Sequence, residues 1–185
     1  MSSFVHLHTH SEFSLLDGLG KLDHLIEKAK SFGMNALAIT DHGAMYGSFK
    51  FYMKAVAAGI KPIIGVEKYV TRRSLFDKEA KIDTDPHHLI LLATNEMGYR
   101  NLMKLVTVAH LEGFYYRPRI DWETLVKYHE HIICLSGCLQ GQIPQLLLRG
   151  EADEAEKIAY KYAELFGRDH YYLEIQRHPK IPQNE

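Results

Sequence analysis

The sequence predicts an α/β domain in which a parallel sheet is covered by helices. Short apolar runs alternate with amphipathic stretches along the 185 residues, as is typical of repeated βα units. The apolar runs are continuous rather than alternating with polar residues, which indicates strands buried on both faces. An open doubly wound sheet and a barrel are both compatible with this order of elements.

Six strands and six helices are expected from hydrophobic periodicity and turn residues. The predicted strands are 4–8, 36–40, 61–71, 88–93, 131–135 and 171–176. The predicted helices are 21–32, 48–58, 99–111, 121–128, 140–148 and 151–166. Gly33 and Gly59 follow the first two helices, and Asp121 is placed to cap the fourth. The polar segment 72–86 is expected to run over the surface.

Composition favours one compact domain, or a piece of a larger one, because 46% of the residues are hydrophobic and 24% are charged. The formal net charge of −1 gives no overall basic field toward nucleic acid or an anionic membrane. Cys134 and Cys138 are too few for a disulfide framework, which favours a reducing, cytoplasmic location. We expect no secretory signal and no membrane partner, since no apolar run approaches the roughly 20 residues of a membrane span.

Histidine is unusually frequent, with 12 residues, and three of them stand at alternate positions near the start: His6, His8 and His10. On a β-strand these side chains would share one face, with neighbours roughly 6.5 Å apart. Imidazole is the commonest side-chain ligand of transition metals. The spacing therefore indicates a metal site, and the alternative is an ordinary polar strand.

Further polar side chains recur near the ends of the predicted strands, where parallel α/β folds gather their active sites. They are Asp41 and His42 after the second strand, Glu67 within the third, Cys138 after the fifth, and Glu174 in the sixth with His178 beyond it. His87 and His88 stand at the start of the fourth strand, which is the wrong end for a parallel sheet. Singly, most of these residues have a structural explanation: Asp17 before Gly18 suits a turn, and Asp41 suits a cap.

Several motifs resemble those of the polymerase and histidinol phosphatase (PHP) family. The run from His6 to Gly18 resembles its first motif and Thr40–Gly43 its second, while Gly65–Glu67 and His88–Ala93 fit later landmarks. The stretches Gly113–Asp121 and Leu135–Leu139 are similar to the PHP domains at the N terminus of bacterial DNA polymerase III alpha subunits. The resemblance covers essentially all of residues 1–185.

This resemblance implies a distorted (β/α)7 TIM-like barrel with several metal ions at one rim. Matching the motifs places metal ligands at His8, His10, Asp17, His42, Glu67, His88 and Cys138, with His6 in a supporting position. The family also has an Asp-x-His pair on a late strand, and this sequence reaches Glu185 without one. The last barrel unit is therefore expected to be missing from 1–185.

The first functional hypothesis is a metal-dependent phosphoesterase that acts on a DNA primer 3′ end as a 3′→5′ proofreading exonuclease. A mixed His, carboxylate and thiol set suits two or three divalent ions, zinc or manganese, and the thiol argues against magnesium. The resemblance further implies that the whole protein is a DNA-directed DNA polymerase, a nucleotidyltransferase, with the rest of the alpha subunit as a partner.

Two other functions remain open from the sequence. The domain would serve as a structural module that stabilises the polymerase and docks a separate proofreading exonuclease, or as a free-standing phosphatase acting on small phosphate esters. Candidate DNA contacts are Arg117, Arg119 and Tyr115, since arginine binds phosphates and aromatic rings stack on bases. Ordinary packing of the tyrosine is the alternative explanation.

Overall fold

The computed structural model describes residues 4–15 and 17–176, so His178 lies outside the described residues. Its helices are α1 (Leu22–Ser31), α2 (Ser48–Ala57), α3 (Glu96–Leu111), α4 (Trp122–Tyr128), α5 (Gln142–Leu148) and α6 (Ala152–Phe166). Its strands are β1 (Ala36–Ile39), β2 (Lys61–Val70), β3 (His87–Ala93), β4 (Phe114–Tyr115), β5 (Arg117–Ile120), β6 (Ile132–Leu135) and β7 (Tyr171–Tyr172). All six predicted helices are present, with ends shifted by a few residues at most.

The sheet is mixed, and β2 is its central strand. The first half of β2 pairs with β1 in parallel, and its last residues pair with β5, also in parallel. Its other edge pairs with β3 in the antiparallel sense, and β3 is antiparallel to β6, which in turn runs parallel to β7. Across residues 4–15 and 17–176 this sheet does not close on itself. The α/β class is confirmed, and the expectation of an all-parallel sheet is wrong.

The reversal of β3 resolves the position of His88. In an antiparallel pair the start of one strand lies beside the end of its neighbour. His88 accordingly stands opposite Tyr69, near the carboxyl end of β2. A residue that begins its strand thereby reaches the same rim as residues that end theirs.

Of the predicted strands, the first is wrong and the last is too long. Residues 4–8 run beside β1, with the His6 carbonyl accepting a hydrogen bond from the Ala38 amide at 3.0 Å, but they form no regular strand. The predicted strand 171–176 ends at Tyr172, and 173–176 are irregular. The short hairpin of β4 and β5 was not predicted, because Pro118 and its charged neighbours obscure any alternation of polar and apolar residues.

The core lies mainly on the face of the sheet that the helices cover. One apolar cluster packs β2, β3 and β6 against α3, α4 and α6, and a second packs β1 against α1 and α2. Gly98 lets α3 pack closely against the segment between α4 and β6, since a Cβ at this position would stand 2.1 Å from the His131 carbonyl oxygen. Among the described helices, none is both long and apolar enough to cross a membrane.

Candidate metal centre

One cavity of about 540 Å³ at the rim of the sheet is lined by all seven side chains that the motifs select. His8, His10 and Asp17 come from the segment before α1, and His42 from the turn after β1. Glu67 comes from β2, His88 from the start of β3, and Cys138 from the turn after β6. The structure therefore brings together residues that are up to 130 positions apart in the chain (138 − 8). Their assignment as metal ligands remains a prediction.

Glu67 is the centre of this cluster. Its side chain is fully buried, with Oε2 3.0 Å from His10 Nε2 and Oε1 2.7 Å from His88 Nδ1. Burial alone raises the pKa of the Glu67 carboxyl, but the close imidazoles of His10, His42 and His88 hold that pKa well below its usual range. Glu67 is thus an ionised carboxylate surrounded by imidazoles.

The donor atoms form three overlapping groups, each small enough to surround one cation. The groups are His8, His10 and Glu67; His10, Asp17 and His42; and His42, Glu67 and His88, with the donor atoms of each group all within 4.8 Å of one another. Glu67, His10 and His42 each belong to two groups. Cys138 belongs to none of the three, although its Sγ lies 3.7 Å from His88 Nδ1 and 4.0 Å from Glu67 Oε1.

Two buried atoms of the cluster have no well-aligned hydrogen bond among the described residues. His42 Nδ1 and Glu67 Oε2 are 2.5 Å apart, and His10 Nε2 lies 3.0 Å from the same carboxylate oxygen, yet neither contact is aligned as a donor with an acceptor. A buried polar atom without a partner is costly. Two lone-pair atoms that converge in this way, beside further imidazoles and a carboxylate, fit a transition-metal ion well. The residues present therefore suit a divalent metal.

His42 is placed by the turn that follows β1. Glu67 N donates to the Asp41 carbonyl at 3.1 Å and Gly43 N donates to the Glu67 carbonyl at 2.8 Å, so the turn pairs with the middle of β2. Gly43 has φ +64°, and a Cβ at this position would lie 2.6 Å from Pro118. A glycine is required here both for the backbone conformation and for space.

Asp41 fixes the segment that carries Asp17. Its buried carboxylate accepts hydrogen bonds from the Ser11 amide at 2.6 Å and from the Ser14 hydroxyl at 2.8 Å. From there Asp17 reaches His42, with 2.6 Å between Oδ2 and Nε2. Asp41 therefore ties two loops together rather than capping a helix, and Asp17 has a role beyond its turn.

The imidazoles differ in their electrostatic surroundings. Burial lowers the pKa of His88, but Cys138 and Glu67 outweigh burial and raise it to about 9. His42 also has a raised pKa, since Glu67 and Asp17 outweigh the effect of burial. Tyr69 packs against both rings, stacked on His42 at 5.9 Å and edge-on to His88 at 5.1 Å between ring centroids. These contacts hold the rings in place around Glu67.

Glu174 and Gln176 were not among the predicted ligands, yet both reach His8. Glu174 Oε1 is 2.7 Å from His8 Nδ1, and Gln176 Nε2 is 3.1 Å from the same nitrogen. A carboxylate on one ring nitrogen fixes the tautomer and orientation of the imidazole. The position of Glu174 near the end of the last predicted strand was the signal in the sequence. His6 turns away from the cavity, is exposed, and packs against the Phe4 ring.

The three predicted DNA contacts have different environments. Arg117 is exposed and lines the cavity, with its guanidinium 5.5 Å from the centre of the Tyr69 ring. Arg119 is fully buried and donates to four backbone carbonyls, so a DNA contact by Arg119 is excluded in this fold. Tyr115 is half-buried and packs against Arg119 and Tyr116.

Comparison with known proteins identifies the class to which this fold and site belong. Residues 6–178 match the model of the PHP domain, and the chain therefore belongs to the PHP family.

Among characterised relatives, the DNA polymerase III subunit alpha of Treponema pallidum is 54% identical over 177 residues, which are 95% of this chain and 15% of that protein. The same subunit of Borreliella burgdorferi is 50% identical over 178 residues, and that of Thermus aquaticus is 46% identical over 179. The chain spans about 15% of the length of these relatives.

A crystal structure from Bifidobacterium adolescentis, assigned as a metal-dependent phosphoesterase, superposes with a TM-score of 0.56 at 13% identity. The superposed region covers 99% of this chain and 81% of the phosphoesterase chain. The similarity shows a shared fold.

Proposed function

We propose that this chain is the PHP domain of a DNA polymerase III alpha subunit and hydrolyses phosphodiesters at its metal centre. Its substrate is the 3′ end of a DNA primer, and its activity is 3′→5′ proofreading during replication in the cytoplasm. The observation that carries the proposal is the convergence of four imidazoles and two carboxylates on one cavity, with Glu67 at the centre. The names of the relatives support the replicative context.

The three donor groups would hold two or three divalent ions, and the proximity of Cys138 favours zinc or manganese over magnesium. Such ions lower the pKa of a bound water and neutralise the charge of a phosphodiester. Glu174 would keep His8 in the tautomer that leaves Nε2 free to act as a ligand. Arg117, on the cavity wall, would pair with a phosphate oxygen.

The reaction is a hydrolysis. The oxygen of water forms a new bond to phosphorus while the bond from phosphorus to the 3′ oxygen of the preceding nucleotide breaks. A nucleoside 5′-monophosphate leaves, and the shortened primer retains a 3′ hydroxyl that takes up the proton. No oxidant, reductant or second substrate is needed.

The test is release of nucleotides from a primer with a mismatched 3′ end, measured with and without zinc or manganese. We expect metal-dependent release by the unmodified chain and at least about a 100-fold loss in the double variant His8→Ala plus His10→Ala, because one donor group loses two of its three members and another loses one. His24→Ala on the exposed side of α1 is the matched control and should retain full activity. Unchanged release by the double variant would exclude this site.

A second candidate function is docking of a separate exonuclease, and α2 favours it. Phe49, Tyr52, Met53 and Val56 lie on one side of this helix and are 49–73% exposed. Spacing of i, i+3, i+4 and i+7 is typical of a helix face that packs against a partner. If docking is the function, Phe49→Ser plus Met53→Ser abolishes binding of the exonuclease, whereas His8→Ala plus His10→Ala leaves it intact.

A further inference from the structure

A second depression adjoins the metal cavity. It has a volume of about 610 Å³ and is lined by Ala80, Lys81, Thr84, Tyr116 and Arg117. Thr84 and Arg117 line both depressions, so the two lie side by side. A linear substrate that enters the metal cavity could therefore extend into the second depression.

The cationic side chains of this depression are not engaged by carboxylates of the described residues. The two arginines of segment 72–86 are already paired, Arg72 with Asp85 and Arg73 with Glu79 and Asp83. Lys81 and Arg117 are exposed, and neither forms an ion pair with any carboxylate that the structure describes. Their charge is available to an anion such as a phosphate group.

An exposed aromatic ring stands beside these two cations. Tyr116 is 70% exposed, and its ring meets Tyr115 edge-on at 4.8 Å between centroids. Most of the Tyr116 side chain is therefore open to solvent. An exposed aromatic ring next to cations that no carboxylate engages is the combination that binds single-stranded nucleic acid without regard to sequence.

The backbone conformation is an independent indication of a binding site at this depression. Lys81 has φ +68° and Tyr116 has φ +56°, which are left-handed values that residues with side chains rarely adopt. Both strained residues line the second depression, although they belong to different loops. Strain of this kind costs about 1–3 kcal/mol per residue and concentrates at binding sites.

We propose that the second depression binds the nucleotide next to the one held at the metal centre, through stacking of its base on Tyr116 and pairing of its phosphate with Lys81 and Arg117. This inference rests on the proposed phosphodiesterase function and deepens it. The substrate class becomes single-stranded polynucleotide, at least two nucleotides long. A mononucleotide or a small ester would use the metal cavity alone.

The primary test is binding, measured by fluorescence anisotropy with labelled oligo(dT) and the chain in EDTA, so that neither metal nor hydrolysis contributes. Tyr116→Gly removes the ring while suiting the positive φ, and we expect it to weaken binding about tenfold. Tyr116→Phe retains the ring and should bind like the unmodified chain. Tyr160→Ala, at an exposed tyrosine of α6, is the matched control and should have no effect.

The charge is tested in the same assay. Lys81→Asn removes the ammonium with a residue that tolerates positive φ, and should reduce the slope of log affinity against log salt by about 0.7. Lys78→Asn, an exposed lysine of the same segment outside the depression, should leave the slope unchanged. Failure of the unmodified chain to bind oligo(dT), or equal binding by Tyr116→Gly, would overturn the inference.

Hydrolysis separates this inference from the function on which it rests. With metal present, Tyr116→Gly should raise the KM for oligo(dT) about tenfold and leave hydrolysis of bis(p-nitrophenyl) phosphate unchanged. Hydrolysis of both substrates with no change in KM would refute the second subsite and leave the phosphoesterase standing. Absence of metal-dependent hydrolysis of either substrate would instead refute the proposed function.

Discussion

Two buried charges, one of each sign, organise this domain at the scale of single residues. Glu67 gathers the imidazoles of the candidate metal centre, and Arg119 gathers backbone carbonyls. The Arg119 guanidinium donates to the carbonyls of Gly113, Leu75, Asp77 and Asp83 at 3.0–3.1 Å, three of which lie in segment 72–86. A planar group with five donors suits four acceptors that no regular secondary structure would satisfy. Arg119 thus replaces a strand or helix in holding this segment.

Replacement of Arg119 by Met should destabilise the fold by about 3 kcal/mol or more, because buried carbonyls lose their charged donor. Urea unfolding followed by circular dichroism measures the loss. Arg168→Met, at an exposed arginine after α6, is the control and should change the free energy of unfolding by less than about 0.5 kcal/mol. A loss for Arg119→Met as small as that of the control would show that these bonds do not stabilise the segment.

At the scale of elements, sequence periodicity predicts the helices well and the strand directions poorly. The apolar faces of α1 and α3 are evident from spacing, and Asp121 caps α4 as predicted, with its carboxylate accepting from the Thr124 amide at 2.9 Å. The residues of a strand do not by themselves reveal whether it runs parallel or antiparallel to its neighbour. β3 is as continuously apolar as a parallel strand, because apolar clusters bury it on both faces. Hence His88 appeared misplaced until β3 was found to be reversed.

The candidate site follows a similar division. Motif matching found His42 and Glu67 because each stands within a motif of a few consecutive residues. The side chains of these two residues do meet in the structure. Glu174 contacts His8 across 166 positions of sequence, and no short motif reports such a contact. The burial of Arg119 was equally hidden, because an arginine beside two tyrosines also resembles a nucleic-acid contact.

The cap of α4 should give a measurable pH dependence. Burial raises the pKa of Asp121, but hydrogen bonds from Thr124 and Leu75 outweigh it, and the folded-state pKa lies below the unfolded value. The carboxylate therefore stabilises the fold above about pH 4 and loses this effect as pH falls through the folded pKa. Asp121→Asn should be about 1 kcal/mol less stable at pH 7, with the difference shrinking toward pH 3.

Urea unfolding of both proteins at a series of pH values between 3 and 7 provides the comparison. Other carboxylates titrate alike in the two proteins, so their effects cancel in the difference. A difference that stays constant with pH would mean that the ionised form of Asp121 is not what stabilises the cap.

At the scale of the whole molecule, the candidate metal centre is where distant parts of the chain meet. Segment 8–10 and segment 174–176 approach each other through His8, Glu174 and Gln176, with no pairing of strands between them. β2 connects to segment 8–10 through Glu67, whose Oε1 lies 3.7 Å from His8 Nε2. A cation shared by segment 8–10 and β2 would join them more firmly than these contacts alone, since an ion that binds only the folded state stabilises it.

Addition of zinc or manganese to the chelated chain, at about 100 times the dissociation constant, should stabilise it by about 2.7 kcal/mol. For a domain of this size that corresponds to a rise in Tm of roughly 5–10 °C in differential scanning calorimetry. Glu67→Gln should lose most of this shift, because two of the three donor groups include Glu67. Glu123→Gln, at an exposed position of α4, should retain it. An equal shift in both variants would place the bound ions elsewhere.

The antiparallel direction of β3 allows segment 72–86, which forms part of the cavity wall, to change in length. β2 ends and β3 begins at the same rim, so the intervening chain leaves and returns on one side of the molecule. Residues inserted into or removed from 72–86 would reshape the entrance to the cavity without lengthening any path across the domain. A change in the length of this excursion would therefore alter access to the cavity while β2 and β3 keep their register.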